Sequence, residues 1–298
     1  MKTIFVHNAT ILDCAVLFPG LGPQGRSWYV DVLWKGDVTG EGVLVDFAEA
    51  KKSAKAVIDN EFDHRLFVST ECLTDESLSS RRVLIVGAER SNVFALNIYA
   101  QGIVCVSGSA IDLLQNGNCS GLEEFLSRAV LAASPKNVRD VIVRLRNTEA
   151  ARTNYFSYTH SLRCHNGNCQ RFHGHSNVIE VIRDGVVDEA FSRQAAQFLS
   201  GKYLVSQSYV CDDPVAEGFL PVLKAIDIAG GKREHHAYVT YIGSQGDVFL
   251  AIPKSTLLTT PDESTIESIA DFVKNALFAD DTVQVIAYEG LQKGAFSS

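Results

Sequence analysis

Short segments with alternating apolar and polar positions recur along the chain, as is typical of β-strands that bury one face. One such run covers 28–34 and follows Gly25-Arg26-Ser27, and a second covers 177–182 and follows Gly174-His175-Ser176. Ser27 and Ser176 lie 149 residues apart, which is half the length of a chain of 298 residues. This spacing indicates an internal repeat.

Each half also contains two segments that carry helix-start signals. Asp46 opens a helix-like segment in the first half and Asp188 opens one in the second, so both are predicted N-caps. The segments 120–123 and 264–267 both read Ser-x-x-Glu, which is the spacing of a capping box. The pattern therefore predicts two helices in each half.

Two hairpins and two closing strands complete the repeat. Apolar runs flank polar turn residues at 83–96 and 238–252, which predicts β-hairpins. Strand-like segments at 141–149 and 283–289 each end in glutamate. Elements in this order predict an α+β fold with helices on one face of an antiparallel sheet, in two units that cover 1–151 and 152–298.

Composition narrows the class of protein. Hydrophobic residues make up 46% of the chain and charged residues 21%, which fits a globular protein and excludes a disordered one. A net charge of −8 argues against a broad nucleic-acid-binding surface. We see no apolar run of the roughly 18 residues that a membrane span needs, and no signal peptide. Seven cysteines without regular spacing fit a reducing, cytoplasmic location.

Histidine and cysteine cluster in the second half. His173 and His175 are spaced i, i+2, which places both imidazoles on one face of a strand, and His160 lies on a strand-like segment upstream. Three histidines that leave one coordination position open form the catalytic type of zinc site. A closed structural site that uses Cys164 and Cys169 with His173 and His175 is the alternative, and the residues alone leave both open.

The run Cys169-x-x-x-His173-Gly-His175-Ser176, with His160 upstream, resembles the zinc motif of the 6-pyruvoyltetrahydropterin synthase family. That family includes the bacterial 6-carboxytetrahydropterin synthases of queuosine biosynthesis. Residues 42–47 and 62–66 resemble two further motifs of the family, as do residues 264–270 and the closing Tyr288-Glu289. The resemblance covers nearly the whole chain, as two copies of a unit that family members usually carry once.

This resemblance implies two tandem units of the tunnelling fold (T-fold), each an antiparallel sheet with two helices on one face. It implies a bound Zn²⁺ and a homo-oligomer, because such units usually associate into a barrel that leaves no exposed sheet edge. The implied partner is a small-molecule pterin. The implied lyase reaction converts 7,8-dihydroneopterin triphosphate to 6-carboxy- or 6-pyruvoyl-tetrahydropterin with loss of triphosphate.

The same resemblance implies roles for individual residues. Cys169 resembles the base that removes a carbon-bound proton, and Asp63 with His64 resembles a second acid–base pair. Glu289 resembles the carboxylate that anchors the pterin ring through a two-pronged hydrogen bond. Glu267 and Glu149 are further candidates for substrate binding. The implied zinc ligands are His160, His173 and His175.

The two halves depart from the family pattern in complementary ways. The first half has Gln24-Gly25-Arg26-Ser27 where the pattern requires His-Gly-His-Ser, so we expect no zinc there. The second half has Lys202–Ser206 where we expect the Asp-His motif to fall. Since family sites lie at subunit boundaries, we expect the two halves to rebuild a site together.

Other functions stay open at this stage. A non-catalytic, zinc-stabilised protein that binds a pterin or purine would keep the metal without turnover. Urate oxidase shares the tandem fold by analogy alone and uses no metal. Arg26, Arg163 and Arg171 lie near the motifs and are candidates for binding the triphosphate.

Overall fold

A computed structural model of the chain describes residues 1–72, 82–89, 92–278 and 282–297. The first half forms these elements: β1 (Lys2–Phe18), β2 (Gly22–Gly36), α1 (Phe47–Glu61), β3 (Leu66–Ser69), β4 (Arg82–Glu89), β5 (Asn92–Tyr99), β6 (Ile103–Val106), α2 (Gly108–Gln115), α3 (Ser120–Ala132) and β7 (Val138–Arg146).

The second half follows a similar order: β8 (Tyr155–His160), β9 (His173–Arg183), β10 (Val186–Val187), α4 (Glu189–Leu199), β11 (Lys202–Ser206), β12 (Val210–Cys211), α5 (Leu220–Ile228), β13 (His236–Gly243), β14 (Gly246–Pro253), β15 (Leu257–Thr260), α6 (Ile266–Leu277), β16 (Val283–Tyr288) and β17 (Gly294–Phe296). None of the described helices combines the length and apolar character that a membrane crossing requires.

Two sheets with matching strand order make up the repeat. The first has the order β6-β3-β1-β2-β7, and the second has β15-β11-β8-β9-β16 with β17 at its edge. Helices α1 and α3 pack on the first sheet, and α4 and α6 pack on the second. The chain is therefore α+β and consists of two tandem T-fold units, as the sequence predicts.

The outer strands of each sheet differ from the predicted antiparallel arrangement. Strand β3 runs parallel to β1, and β11 runs parallel to β8. Each of these strands follows a helix, α1 or α4, and a strand that returns through a helix can pair in parallel with an earlier one. The central pairs β1–β2 and β8–β9 are antiparallel.

The two predicted hairpins do not stay in their own units. Strands β4 and β5 form one hairpin and β13 and β14 form the other, and β14 pairs with β5 through Leu250 and Leu96. A third sheet of order β12-β13-β14-β5-β4 results. A core between the three sheets contains Leu66 from the first, Tyr203 from the second and Leu250 from the third. The halves are thus joined by a shared sheet and a shared core.

The helix starts are only partly as predicted. The Asp46 side chain accepts from the amides of the first turn of α1, and Asp188 does the same at α4. Neither predicted capping box forms, however. Thr265, one residue after the predicted cap, caps α6, and the Glu123 carboxylate accepts from the backbone amide of Leu145 at 2.9 Å. Glu123 therefore ties α3 to β7 instead of capping its own helix.

The two units meet at their repeated Gly-x-Ser segments. The Ser27 amide donates to Ser176 Oγ at 2.9 Å, and the Ser176 amide donates to Ser27 Oγ at 3.0 Å. Gly25 and Gly174 allow the two backbones to approach. A Cβ added at Gly25 would clash with backbone oxygens of β8 and β9 and lie 2.6 Å from the amide nitrogen of His175. The internal repeat is thus a pseudo-twofold contact in three dimensions.

Gly25→Ala is expected to destabilise the protein by about 3 kcal/mol, because backbone atoms cannot yield as a flexible side chain can. Gly40→Ala is the matched control, since no atom lies within 4 Å of an added Cβ there, and it should change the free energy of unfolding by about 0.5 kcal/mol or less. Chemical denaturation measures both. Equal stability of the two variants would contradict the close contact between the units.

Candidate metal centre and acid–base site

His160 and His173 face each other at the centre of the second sheet. They pair across β8 and β9, both are fully buried, and their Nε2 atoms lie 3.1 Å apart. His160 Nδ1 lies 3.0 Å from the carbonyl of Ser264, and His173 Nδ1 lies 2.8 Å from that of Arg171. Because a carbonyl oxygen can only accept, each Nδ1 carries the hydrogen and each Nε2 presents a lone pair. Two lone pairs at this distance create a site for a cation.

His175 adds a third imidazole on the same strand face. Its ring centroid lies 5.1 Å from that of His160 and 5.0 Å from that of His173. Both of its ring nitrogens are buried and lack a well-formed hydrogen bond within the described residues. Its Nδ1 faces the Asp13 carboxylate at 3.3 Å, which leaves Nε2 without a hydrogen-bond donor or acceptor in the described residues. Since buried polar groups are nearly always satisfied, this Nε2 atom fits a metal ion bound between the rings.

The protonation states of two of these histidines favour the same interpretation. Burial and the nearby charge of His175 lower the pKa of His160 to about 3. Burial, and the repulsion that a second protonated ring beside His160 would meet, lower the pKa of His173 well below its usual value. Both rings are therefore neutral at physiological pH, and neutral imidazole is the form that binds metals.

The first half supplies the predicted acid–base pair, Asp63 and His64. His64 follows α1 with a positive φ of 54°, and its ring centroid lies 4.6 Å from that of His173. The Asp63 carboxylate lies 2.5 Å from His64 Nδ1 and also accepts from the amide of Asp13 at 2.8 Å. The predicted pair thus reaches across to the histidines of the other half.

Cys169 completes this side of the site. It is half-buried on the short turn Gly167–Gln170, and its thiol lies close enough to His64 to affect the pKa of that ring. Burial opposes a charge on His64, but the hydrogen bonds to Asp63 and Cys169 raise its pKa to about 10. His64 therefore carries a proton at neutral pH and is a potential proton donor.

Glu289 lies next to His175 at the end of the second half. Its Oε1 lies 4.0 Å from His175 Nε2, and its Oε2 lies 3.0 Å from Lys293 Nζ. Burial opposes ionisation, but the positive charges of His175 and Lys293 lower the pKa of Glu289. The carboxylate is thus ionised and can accept two hydrogen bonds from a ligand.

The described part of the chain contains two groups of three residues that could bind a metal ion. Within each group, the potential ligand atoms lie within 4.8 Å of one another. One is His64, His173 and His175, and the other is His160, His175 and Glu289. The predicted ligands are divided between them, with His175 in both. Cys164 belongs to neither group, is exposed, and lies 3.7 Å from the Tyr209 hydroxyl. This geometry does not favour the closed structural site.

Asp13 is a site residue that the sequence reasoning missed. It lies on β1, is buried, and its carboxylate lies 3.3 Å from His175 Nδ1 and 2.5 Å from the Ser27 hydroxyl. Burial opposes its charge, but His175, His64 and the Ser27 hydrogen bond bring its pKa to about 2. The sequence does contain a signal for Asp13, since it is the single acidic residue in the apolar run Ile11–Val16. An acidic side chain that is buried is almost always paired, so its position in this run indicates a partner in the folded protein.

Asp13→Asn is expected to weaken metal binding by about 10–100-fold, because a carboxylate behind a ligand histidine orients the ring and strengthens it as a donor. Asp31→Asn is the matched control, since Asp31 is also a buried carboxylate of the first sheet but pairs with Arg146 at 2.6 Å. It should lower stability and leave metal affinity unchanged. Competition with a chromophoric chelator measures both affinities, and equal loss in the two variants would contradict the role of Asp13.

The structure places the other candidates outside this cluster. Glu149 pairs with Arg152 at 3.2 Å, and Glu267 is exposed in the first turn of α6. Arg163 donates to a backbone carbonyl of β13, and Arg26 donates to the Gly25 carbonyl and lies over an aromatic ring. Their predicted roles in substrate binding remain predictions.

The second half has no counterpart of Asp63 and His64 at the matching position. Leu66 pairs with Ala15 and Tyr203 pairs with Thr159 at matching positions of the two sheets, so Gly201 occupies the position of His64. Both residues have positive φ. The Asp-His motif is therefore replaced by 200–201, and not by 202–206 as the sequence suggests.

Comparison with known proteins supports the motif assignment. Residues 149–193 match the family model described as 6-pyruvoyl tetrahydropterin synthase, which confirms the resemblance for the segment with the three histidines. A search of curated proteins finds no significant match. Among solved structures, 6-pyruvoyl tetrahydropterin synthase of Plasmodium falciparum is 14% identical, with 48% of this chain and 90% of that chain covered and a TM-score of 0.34. The Plasmodium vivax enzyme is 13% identical, with 49% and 98% covered and a TM-score of 0.31.

Proposed function

We propose that this protein is a zinc-dependent pterin synthase that converts 7,8-dihydroneopterin triphosphate to 6-carboxy- or 6-pyruvoyl-tetrahydropterin with loss of triphosphate. One observation carries the proposal. Three buried imidazoles converge beside Cys169, Asp63 and His64, where the Nε2 atoms of His160 and His173 face each other and Nε2 of His175 has no hydrogen-bond partner in the described residues. The family match at 149–193 supports it.

The histidines of the second half fit a zinc ion. His160, His173 and His175 would hold it, with two neutral rings and with a buried Nε2 of His175 that has no hydrogen-bond partner in the described residues. A bound zinc ion would act as a Lewis acid toward substrate oxygens. Histidine nitrogen is a common ligand type for zinc, and three such ligands leave a position open.

The chain's own residues supply proton transfer. Cys169, held beside the imidazolium of His64, is positioned to act as the base that accepts a carbon-bound proton. His64 is positioned to donate its proton to a substrate oxygen, and Asp63 holds the ring and stabilises its charge. The two groups thus provide a base and an acid on one side of the metal centre.

The substrate would enter from the side of α1. A cavity of about 430 Å³ borders the site there, and its lining includes Asp13, His64 and Lys293 together with Lys51, Lys55 and Asp59 of α1. This volume is within the usual range of small-molecule pockets. Glu289 would bind the amino and ring N–H groups of the pterin once Lys293 moves aside, because a carboxylate matches two parallel donors.

Two measurements together test the function. Elemental analysis of the purified protein should find zinc, and mass spectrometry should find a tetrahydropterin after incubation with 7,8-dihydroneopterin triphosphate. The product mass also separates the carboxy- from the pyruvoyl-forming reaction. Zinc without any conversion would contradict the enzyme and favour the non-catalytic binding protein.

We also propose that the units cover 1–151 and 152–298, that the chain forms a homo-oligomer and that it works in the cytoplasm in queuosine biosynthesis. The strands of the first sheet come from the first range and those of the second sheet from the second range. All seven cysteines are free, which suits a reducing compartment.

A further inference from the structure

Gln170 directly follows Cys169 and is buried, although glutamine is mostly an exposed residue. Its Oε1 atom accepts hydrogen bonds from the Ser244 hydroxyl and the Gln245 amide, both at 3.0 Å. Its Nε2 atom donates to the carbonyl of His165 at 2.6 Å. Because its oxygen and its nitrogen both have partners, this buried amide is fixed in one orientation.

The side chain of Gln170 connects a loop to a turn. The loop 161–172 joins β8 to β9 and carries Cys169, and the turn 244–245 joins β13 to β14. The Leu162 amide donates to the Cys169 carbonyl at 2.9 Å, and the Tyr241 hydroxyl of β13 donates to the Gln170 carbonyl at 2.8 Å. The loop is therefore closed on itself at Cys169 and bound to the third sheet at the next residue.

The turn fits closely around this amide and is itself held from the first half. A Cβ added at Gly243, where β13 ends, would lie 2.6 Å from Gln170 Oε1. The exposed Gln101 donates to the Gln245 carbonyl at 2.9 Å, and β5 pairs with β14. Since His64 also belongs to the first half, the turn connects the loop to the half that supplies the acid–base pair.

From these contacts we infer that Gln170 is a positioning residue, through which the turn 244–245 of the third sheet holds the Cys169 thiol beside His64. The inference rests on the proposed function for the proton transfer that Cys169 performs, whereas the restraint of the loop does not depend on it. A base must lie within reach of the proton that it removes, and a displacement of about 1 Å can lower the rate by about 10²-fold. Gln170 itself exchanges no proton with the substrate in this role.

Gln170→Met tests this role in turnover, because methionine keeps the unbranched shape and removes all three hydrogen bonds. It should lower kcat per bound zinc ion by about 10–100-fold and leave KM and zinc content nearly unchanged. Gln170→Glu keeps the oxygen that accepts from Ser244 and Gln245 and loses the donor to His165, so it should recover most of the lost rate. Gln101→Met is the matched control with normal kcat, since Gln101 is hydrogen-bonded to the same turn but, within the described residues, not to the loop.

Hydrogen exchange followed by mass spectrometry tests the restraint without turnover. In Gln170→Met the amides of 161–172 should exchange about tenfold faster, because the loop can open without breaking these bonds. Gly243→Ala should also speed this exchange, since its added methyl group displaces the Gln170 amide from outside the loop, and Gln101→Met should not. Thermal denaturation shows whether each variant is folded, and Gly243→Ala provides the test if Gln170→Met does not fold.

The outcomes separate the restraint from the proposed function. Unchanged exchange of 161–172 in both Gln170→Met and Gly243→Ala would overturn the inference. So would a Gln170→Glu protein as slow as Gln170→Met, because that result assigns the restraint to His165 and not to the turn. If exchange rises as expected but the unmodified protein forms no pterin, the restraint of the loop stands and the proposed function fails. If pterin forms with normal kcat in Gln170→Met, the proposed function stands and the positioning role fails.

Discussion

Cys169→Ala should lower kcat by about 10²–10⁴-fold, the usual contribution of a positioned acid or base, while metal content stays unchanged. The thiol lies beside His64, and no candidate metal group in the described residues includes it. Its loss should therefore remove a proton acceptor and leave the ligand set intact. Product formation by mass spectrometry and zinc by elemental analysis measure the two properties on one sample.

Cys164→Ala is the matched control for that variant. Cys164 is exposed and near Tyr209, and it was a ligand only in the closed structural alternative. Normal zinc and normal turnover in Cys164→Ala would support the catalytic site. Loss of zinc in either cysteine variant would instead favour the closed site, and unchanged turnover in Cys169→Ala would remove Cys169 from the mechanism.

His173→Gln should lose most of the bound metal and reduce turnover to background. Gln keeps most of the side-chain volume, but it cannot replace the Nε2 lone pair that faces His160 at 3.1 Å. Metal should also protect the unmodified protein from heat, because a ligand that binds the folded state alone stabilises it. A chelator should therefore lower the Tm of the unmodified protein and leave that of His173→Gln unchanged.

His236→Gln separates this effect from the general cost of altering a buried histidine. His236 is buried in the third sheet, where its ring nitrogens contact the carbonyls of Lys232 at 2.8 Å and Val93 at 2.5 Å. Its replacement should lower stability and keep zinc and turnover. Full metal content in His173→Gln would contradict the proposed ligand set.

The sequence predicts the large features of the fold because they follow from local pattern. The repeat, the α+β class and the caps at Asp46 and Asp188 depend on spacing and residue type. The two predicted capping boxes do not form, for different reasons. Glu123 bonds to β7 instead of its own helix, and Thr265 replaces Ser264 as the cap of α6.

The site residues also divide into those that a local sequence pattern predicts and those that depend on contacts between distant parts of the chain. Histidines spaced i, i+2 must share a strand face, and the structure confirms that His173 and His175 do. Asp13 was not predicted because its partner, His175, is far away in sequence and lies in the other half. The strand pairing of β14 with β5 was also unpredictable, since no local signal records which hairpin joins another.

The mutual contact of Ser27 and Ser176 has a consequence for kinetics. In enzymes whose active sites lie between separate subunits, dilution dissociates the site, and activity per molecule falls with concentration. Here one covalent chain brings both contributing halves together, so the second half is always present at a high effective concentration. Specific activity should then stay constant on dilution, whatever larger assembly the protein forms.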